Sequence, residues 1–243
     1  MNILAIGNSF SQDALRYLHD IAKSDNYDLT VVNLYIGGCP LSLHYKNMLE
    51  DSKTYLMEFN GQETLFYVSI KEALLSRDWD YVSLQQVSHQ SINYETYQPY
   101  LNELSAYIKK YAPKAKQIIH QTWSYEETNN RLHEELGYKT QADMFHDLKT
   151  AYEKAAKEIS AELIIPSGEL FQNLLASGIE HLHRDTAHAS FGTGRYALGL
   201  LWYSMLTNNG IKNNSFNNFD ESVSDTEIKT IKECVTKTVE VSK

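Results

Sequence analysis

Apolar and polar positions along this chain fall into two rhythms. Unbroken apolar runs at Asn2–Gly7, Asp28–Tyr35, Trp79–Gln86, Gln117–Thr122 and Leu163–Pro166 stop at glycine, proline or polar clusters, as buried strands do. Between them apolar residues recur at helical spacing: Ala14–Ala22, Leu41 to about Asp51, Tyr94–Tyr111 before Pro113, Thr140–Ser160, and a segment beginning near Glu169. In Thr140–Ser160 the stripe Met144, Leu148, Tyr152, Ala155 and Ile159 marks the core face. Strands alternating with helices predict the α/β class, a three-layer sandwich around a doubly wound, mostly parallel sheet of five strands.

A few stretches stand outside that alternation. Tyr55–Phe66 reads as a hairpin turning at Asn60-Gly61, and the capping box Ser69-Ile70-Lys71-Glu72 opens a helix ending before Arg77. Both are expected as a lid or flank without chemistry. Asn129–Tyr138 is polar and reads as an exposed excursion. Past Thr207 an asparagine-rich loop leads to a last helix over about 224–241. It opens at the capping box Ser224–Glu227 and turns Ile228, Ile231, Val235 and Val239 inward.

Composition narrows the function classes. At 243 residues and 42% hydrophobic, with no linker-like segment, the chain forms one domain over 1–243, its last helix packed on it. A net charge of -9 and a pI near 5.5 argue against a nucleic-acid surface and favour a small neutral or cationic ligand. Cys39 and Cys234 match no metal spacing and read as two thiols. With no signal-like start and no membrane-length apolar run, a soluble protein is expected, cytoplasmic as written, although a removed leader would leave the same sequence.

The candidate chemistry sits where strands end. Ser9, in Gly7-Asn8-Ser9, falls at the first strand-to-helix turn, where the crevice of an α/β sheet opens and a helix start favours negative charge. It is the candidate nucleophile; the competing reading is that Ser9, Ser11 and Asp13 cap a helix. Gly37-Gly38 ends the second strand, either as a plain turn or with a backbone N–H aimed at an oxyanion. Gln85 or Gln86 ends the third, as an amide donor or as a partner for backbone. Trp123 ends the fourth, as pocket wall or core.

Near the other end, Asp185 and His188 stand three residues apart, so one turn brings both to one side. An imidazole oriented by a carboxylate is what an activated serine requires. His181-x-His183-x-Asp185 also has the density of a zinc site, but Thr186 stands where a further histidine is needed and no second ligand cluster exists. No metal or other cofactor is expected, and His181 and His183 are placed at the rim or surface. A nucleotide site is set aside because Gly7 stands alone after the first strand.

The blocks Gly7-Asn8-Ser9, Gly38 and Asp185-x-x-His188 resemble those of the SGNH (GDSL-like) hydrolases. Within them, the wording Ile6-Gly7-Asn8-Ser9-Phe10-Ser11, Trp79-Asp80-Tyr81-Val82-x-Leu84-Gln85 and Arg184-Asp185-x-x-His188-x-Ser190-x-Gly192-x-Gly194-Arg195-Tyr196 resembles the DUF4886 family. The resemblance implies an SGNH/flavodoxin-like sheet, Ser9 as nucleophile, His188 as base, Asp185 as its partner, and the Ser9 and Gly38 N–H groups as oxyanion donors. The usual Gly-x-Asn-Asp block is missing, so Gln85 or Gln86 is expected to replace its asparagine, ahead of Ser88 or His89. Asn8, His89 and Trp123 are expected at the substrate, with Tyr94 and Tyr97 near it. The implied activity is serine-dependent hydrolysis of small or carbohydrate esters, acetyl groups on sugars above all. The alternative is a non-catalytic glycan or small-ligand binding module on a degenerate scaffold.

Overall fold

In the computed structural model, which describes residues 1–242, the first strand, β1 (Asn2–Gly7), is apolar on both faces and buried from Ile3 onward. After it come α1 (Ser9–Leu15), α2 (Leu18–Ser24), β2 (Thr30–Tyr35), α3 (Leu41–Leu49), the hairpin β3 (Tyr55–Phe59) and β4 (Gln62–Val68), α4 (Ile70–Leu75) and β5 (Tyr81–Leu84). The second half holds α5 (Tyr100–Tyr111), β6 (Lys116–Gln121), α6 (Gln141–Ile159), β7 (Leu163–Pro166), α7 (Ser167–Ala176), α8 (Thr193–Thr207) and α9 (Asp225–Val241). The strands lie in the order β4-β3-β2-β1-β5-β6-β7, parallel from β2 to β7 and antiparallel in the hairpin.

The expected five-stranded sheet is therefore present and is extended to seven by the hairpin, which is neither lid nor flank. β2 would otherwise leave an edge of unpaired backbone groups, and β3 closes it from Val32↔Phe59 to Tyr35↔Leu56. The hairpin turn is pinned from both sides. Asn60 and Gly61 take φ of 51° and 77°, the pair a two-residue hairpin turn needs, while Val31 exchanges hydrogen bonds with the Asn60 side chain and backbone.

Two apolar layers cover the sheet. One packs α1, α2, α7, α8 and α9 and the other α3 to α6, with the five-residue stripe of α6 buried as its spacing predicts. α9 opens at its capping box and buries Ile231, Val235 and Val239, with Ile228 half-buried.

Two helices differ from the sequence expectation. The first begins at Ser9 instead of Ala14 and is interrupted between Leu15 and Leu18; its cap is Asn8, whose Oδ1 accepts from Phe10 N–H at 3.0 Å, and not Ser9, Ser11 or Asp13. The expected Tyr94–Tyr111 helix is a short 3-10 turn, Tyr94–Tyr97, followed by α5. Pro99 has no N–H to give and holds Gln98 extended (φ -101°, ψ 144°), so one continuous helix cannot form.

β1 lies between β2 and β5, and the chain leaves β1 and β5 toward opposite faces, into α1 and α5. The crevice at the carboxyl ends of these strands is where such sheets place their sites.

Candidate active site

Ser9 owes its position to a tight turn. A Cβ on Gly7 would stand 2.3 Å from Ser11 Oγ, so only glycine lets β1 turn this sharply into α1. The extended Asn8 (φ -145°, ψ -155°) caps Phe10 N–H, which leaves the Ser9 hydroxyl and N–H free to face the crevice.

The His188 loop, between α7 and α8, meets that hydroxyl. Asp185 Oδ1 accepts from the N–H groups of His188 (2.7 Å) and Ala187 (3.2 Å), and its Oδ2 lies 2.8 Å from His188 Nδ1. His188 Nε2 lies 2.8 Å from Ser9 Oγ. An ionised carboxylate only accepts, so Nδ1 carries the proton and the bare Nε2 accepts from the Ser9 hydroxyl. Burial pushes the Asp185 carboxyl up, but the His188 N–H and imidazole and the Ala187 N–H together hold it below the ordinary value.

Three anchors hold this loop. Asp13, on the same helix as Ser9 and fully buried, accepts from Arg184 and from Arg195 Nε at 2.9 Å, and from Ala189 N–H at 3.2 Å. Arg184 and Arg195 also sandwich the Phe191 ring, at 4.7 and 4.5 Å from its centroid. α8 begins close under the loop because Gly194 has no Cβ, which would stand 2.6 Å from Leu182 O. Trp123 is the third anchor. It is completely buried, stacked between Phe10 (4.4 Å) and Phe171 (4.8 Å), and donates Nε1–H to Ala187 O at 2.9 Å. Trp123 is thus core and not a pocket wall, because its ring fills the space under the loop.

The expected amide donors are placed differently. Gln85 Nε2 donates to Asn8 Oδ1 at 2.8 Å, and its Oε1 lies 2.8 Å from His120 Nδ1. Gln86 Oε1 accepts from Leu41 and Val87 N–H, both at 2.9 Å, while its Nε2 donates to Thr96. Both are buried and neither lines the crevice. Their carboxamides satisfy groups that leave the sheet away from water, so neither glutamine points toward Ser9. Asn8 borders the crevice; its Oδ1 accepts from Phe10 N–H and Gln85 Nε2 and its Nδ2 donates to Cys39 O at 3.1 Å, so it braces two turns. Ser9 and Gly38 both line the crevice, and no acceptor is found among the described residues for the N–H of either, Gly38 lying in the left-handed region at φ 62°.

Over this point opens a cavity of about 450 Å³. Ser9, Phe10, Gly38 and His188 line it together with Ser88 and His89, so His89 shares the cavity with Ser9. Burial and the nearby Arg131 hold the His89 imidazole below its ordinary pKa. The adjoining wall, Tyr125, Asn129, Arg131 and Glu135, with Tyr125 OH 2.7 Å from Ser88 Oγ, was not foreseen from the sequence, in which the Asn129–Tyr138 stretch looks like a solvated excursion. Leu132 was the signal: an apolar residue in a mostly polar run, completely buried, it pegs a π turn (Arg131–Glu135) to the domain. Asn129 Nδ2 then bonds Thr186 Oγ1 at 2.9 Å, tying this wall to the His188 loop.

The tyrosines Tyr94 and Tyr97 do not reach the cavity; Tyr97 is buried and donates to Ser91 O. His183, expected at the rim, is buried against Phe171, because its ring fills space beside Ser124. Among the described residues no group of three or more His, Cys, Asp or Glu side chains is arranged to hold a metal ion, and no helix is long and apolar enough to cross a membrane. Both cysteines are free and buried, and burial pushes the Cys39 thiol up to about 12.

Residues 2–237 match the model of a family described as a domain of unknown function, DUF4886. A crystal structure of a DUF4886 family protein from Bacteroides uniformis is 30% identical, with a TM-score of 0.92 over 99% of this chain and 95% of that one. A protein from Slackia heliotrinireducens, provisionally assigned to the SGNH hydrolases, is 25% identical, with a TM-score of 0.62 over 84% of this chain and 97% of that one. At 13% identity, a variant of an acetyl xylan esterase from Geobacillus stearothermophilus shares the fold, with a TM-score of 0.53 over 89% and 97% of the two chains. No match is found among curated protein sequences. Matched over nearly its whole length by the family model and by a solved relative, this chain belongs to the DUF4886 family and has the fold of the SGNH hydrolases.

Proposed function

We propose that the protein is a serine-dependent ester hydrolase that removes small acyl groups, acetyl above all, from carbohydrates or other polar alcohols. The observation that carries this reading is the unbroken line of hydrogen bonds Asp185–His188–Ser9, at 2.8 Å for each side-chain step. His188 Nε2 takes the Ser9 proton as Oγ attacks the acyl carbonyl, and Asp185 stabilises the imidazolium that forms. The oxyanion meets the unpaired N–H groups of Ser9 and Gly38. His188 then returns the proton to the leaving alkoxide and activates the water that releases the acid.

The cavity wall favours a small acyl group on a polar alcohol. Near Ser9 its apolar residues are only Phe10, Val87 and Ala187, too few to house a long acyl chain. Arg131 offers donors and Glu135 an acceptor, the mixture that hydroxyl groups need. Likeness in fold to an acetyl xylan esterase agrees with this substrate class.

Pre-steady-state hydrolysis of p-nitrophenyl acetate by the native chain and by Ser9→Ala tests the reading. A burst of one acyl group per chain in the native protein, absent from Ser9→Ala, is expected; equal rates refute it. The withdrawal of Gln85 and Gln86 from the cavity favours a second reading, a glycan or small-ligand binding module. Equal rates together with saturable sugar binding in calorimetry would select it.

A further inference from the structure

Four buried side chains form a line toward the Ser9 turn: Ser167 at the start of α7, His120 on β6, Gln85 after β5 and Asn8 after β1. None is more than 2% exposed. Ser167 Oγ lies 3.2 Å from His120 Nε2, His120 Nδ1 lies 2.8 Å from Gln85 Oε1, and Gln85 Nε2 lies 2.8 Å from Asn8 Oδ1.

The direction of every bond is fixed from the Asn8 end. Phe10 N–H can only donate and Cys39 O can only accept, which sets the Asn8 carboxamide one way round, at 3.0 and 3.1 Å. Gln85 must then donate to Asn8 and turn its oxygen to His120. His120 in turn carries its proton on Nδ1, and its bare Nε2 accepts from the Ser167 hydroxyl. Burial holds the imidazole neutral, its pKa pushed down to about 3. Neither amide can flip and the ring has a single tautomer, so the line behaves as a strut.

Asn8, at its end, joins two turns. It binds the N–H that follows Ser9 and the carbonyl that follows Gly38, so its orientation sets the gap between the two unpaired N–H groups. The geometry points to Gln85 and His120 as positioning residues that act through Asn8 to space the Ser9 and Gly38 oxyanion donors. This inference rests on the hydrolase reading above. It gives a buried polar line a role, where apolar packing would fill the same space without needing every bond satisfied.

Gln85→Glu keeps the size of the side chain and reverses one bond: an ionised carboxylate cannot donate to Asn8 Oδ1, whereas a protonated one can. Among the described residues, His120 is the one titratable side chain bonded to the Gln85 carboxamide. With p-nitrophenyl acetate, Gln85→Glu is expected to lose roughly 10–100-fold in kcat near pH 8 with KM within about twofold. Its kcat relative to the native protein should then climb at least about fivefold as the pH falls toward about 5.5, because the carboxyl regains a donor. Taking the ratio divides out any pH dependence the two proteins share. Ser167→Ala, which removes only the far end, is expected to stay folded and lose roughly 3–10-fold in kcat at unchanged KM. A Gln85→Glu ratio that stays flat with pH, or a Ser167→Ala kcat equal to native, overturns the positioning role and leaves the hydrolase reading standing; should Gln85→Glu not fold, Ser167→Ala decides. Native turnover no faster than Ser9→Ala overturns both.

Discussion

Ser9 Oγ and His188 Nε2 stand 2.8 Å apart although 179 residues separate them in the chain. The contact joins the first and last parts of the domain, so a change at either end acts on the same proton. Ser9→Ala or His188→Ala is expected to lower kcat for p-nitrophenyl acetate by at least about 10⁴-fold, and the double variant to lose little more than either alone, since the two work as one unit. Additive losses in a steady-state double-mutant cycle would contradict a shared step.

Asp185→Asn separates orientation from charge. An asparagine amide facing Nδ1 pushes the imidazole into the tautomer with the proton on Nε2, and that nitrogen no longer accepts from Ser9. A loss of roughly 10²–10⁴-fold in kcat with little change in KM is expected. Because Asp185 is half exposed, its stability cost should be within the error of a urea titration. An equal fall in stability and in kcat would mean instead that the loop had come undone.

Asp13 links the two halves of the site at a deeper level. It is completely buried on the Ser9 helix and takes Arg184, Arg195 and the Ala189 N–H, the last beside His188. Burial pushes its carboxyl up while the two guanidinium groups pull it down. Removing it in Asp13→Ala leaves Arg184 without a carboxylate and Arg195 with Asp220 alone, and should cost about 3–5 kcal/mol in denaturant unfolding. It should also slow turnover by loosening the His188 loop. Asp13→Asn keeps the shape and two of the contacts, so it should fall between Asp13→Ala and the native protein in both measurements.

Elements were legible in this sequence where one residue's local chemistry decided them. Three capping boxes, the Asn60-Gly61 turn and the α6 stripe each rest on near neighbours and all appear in the structure, although only two of the boxes were read in advance. Ser9, Asp185 and His188 were legible because a turn and a three-residue spacing already limit where such side chains reach, and the fold brings them together. Gln85, Gln86 and Trp123 were not, because their roles depend on partners distant in the chain: His120, Leu41 and Ala187. A strand end tells that a side chain is near the crevice but not whether it faces in or out. The number of strands was missed for a similar reason, since pairing of β3 on β2 is decided by an open edge that no local pattern displays.

Two buried histidines give the fold a distinctive acid response. Burial lowers both His44 and His120 from the ordinary value near 6.5 to about 3. The unfolded chain therefore binds more protons than the folded one between those values. Each histidine contributes stability that is complete above about pH 6.5 and is lost as the pH falls toward about 3, at up to about 1.4 kcal/mol per pH unit. Urea unfolding from about pH 7.5 down to about pH 4.5 should show this slope. His44→Gln should flatten it by close to one histidine's share. An unchanged slope would mean that His44 is charged, or hydrated, in the folded state.

On the proposed function, variants of the Arg131–Glu135 wall test recognition of the alcohol apart from chemistry at the acyl carbon. Arg131 Nε bonds Glu135 Oε2 at 2.9 Å, and both side chains are about half exposed, so neither supports the core. Truncating either to alanine should change stability by no more than about 0.5 kcal/mol. If this wall grips hydroxyl groups, Arg131→Ala and Glu135→Ala should raise KM for an acetylated xylooligosaccharide by roughly 3–10-fold at nearly constant kcat. For p-nitrophenyl acetate, which has no hydroxyls to bind, both constants should stay near native. Leu132→Ala is the complementary change: it leaves the polar groups in place and loosens the peg beneath them, so it should raise KM for the sugar ester as well and cost about 2–5 kcal/mol in stability. Equal effects of Arg131→Ala on both substrates would place that guanidinium in the chemical step, and no effect on either would remove this wall from the substrate's path.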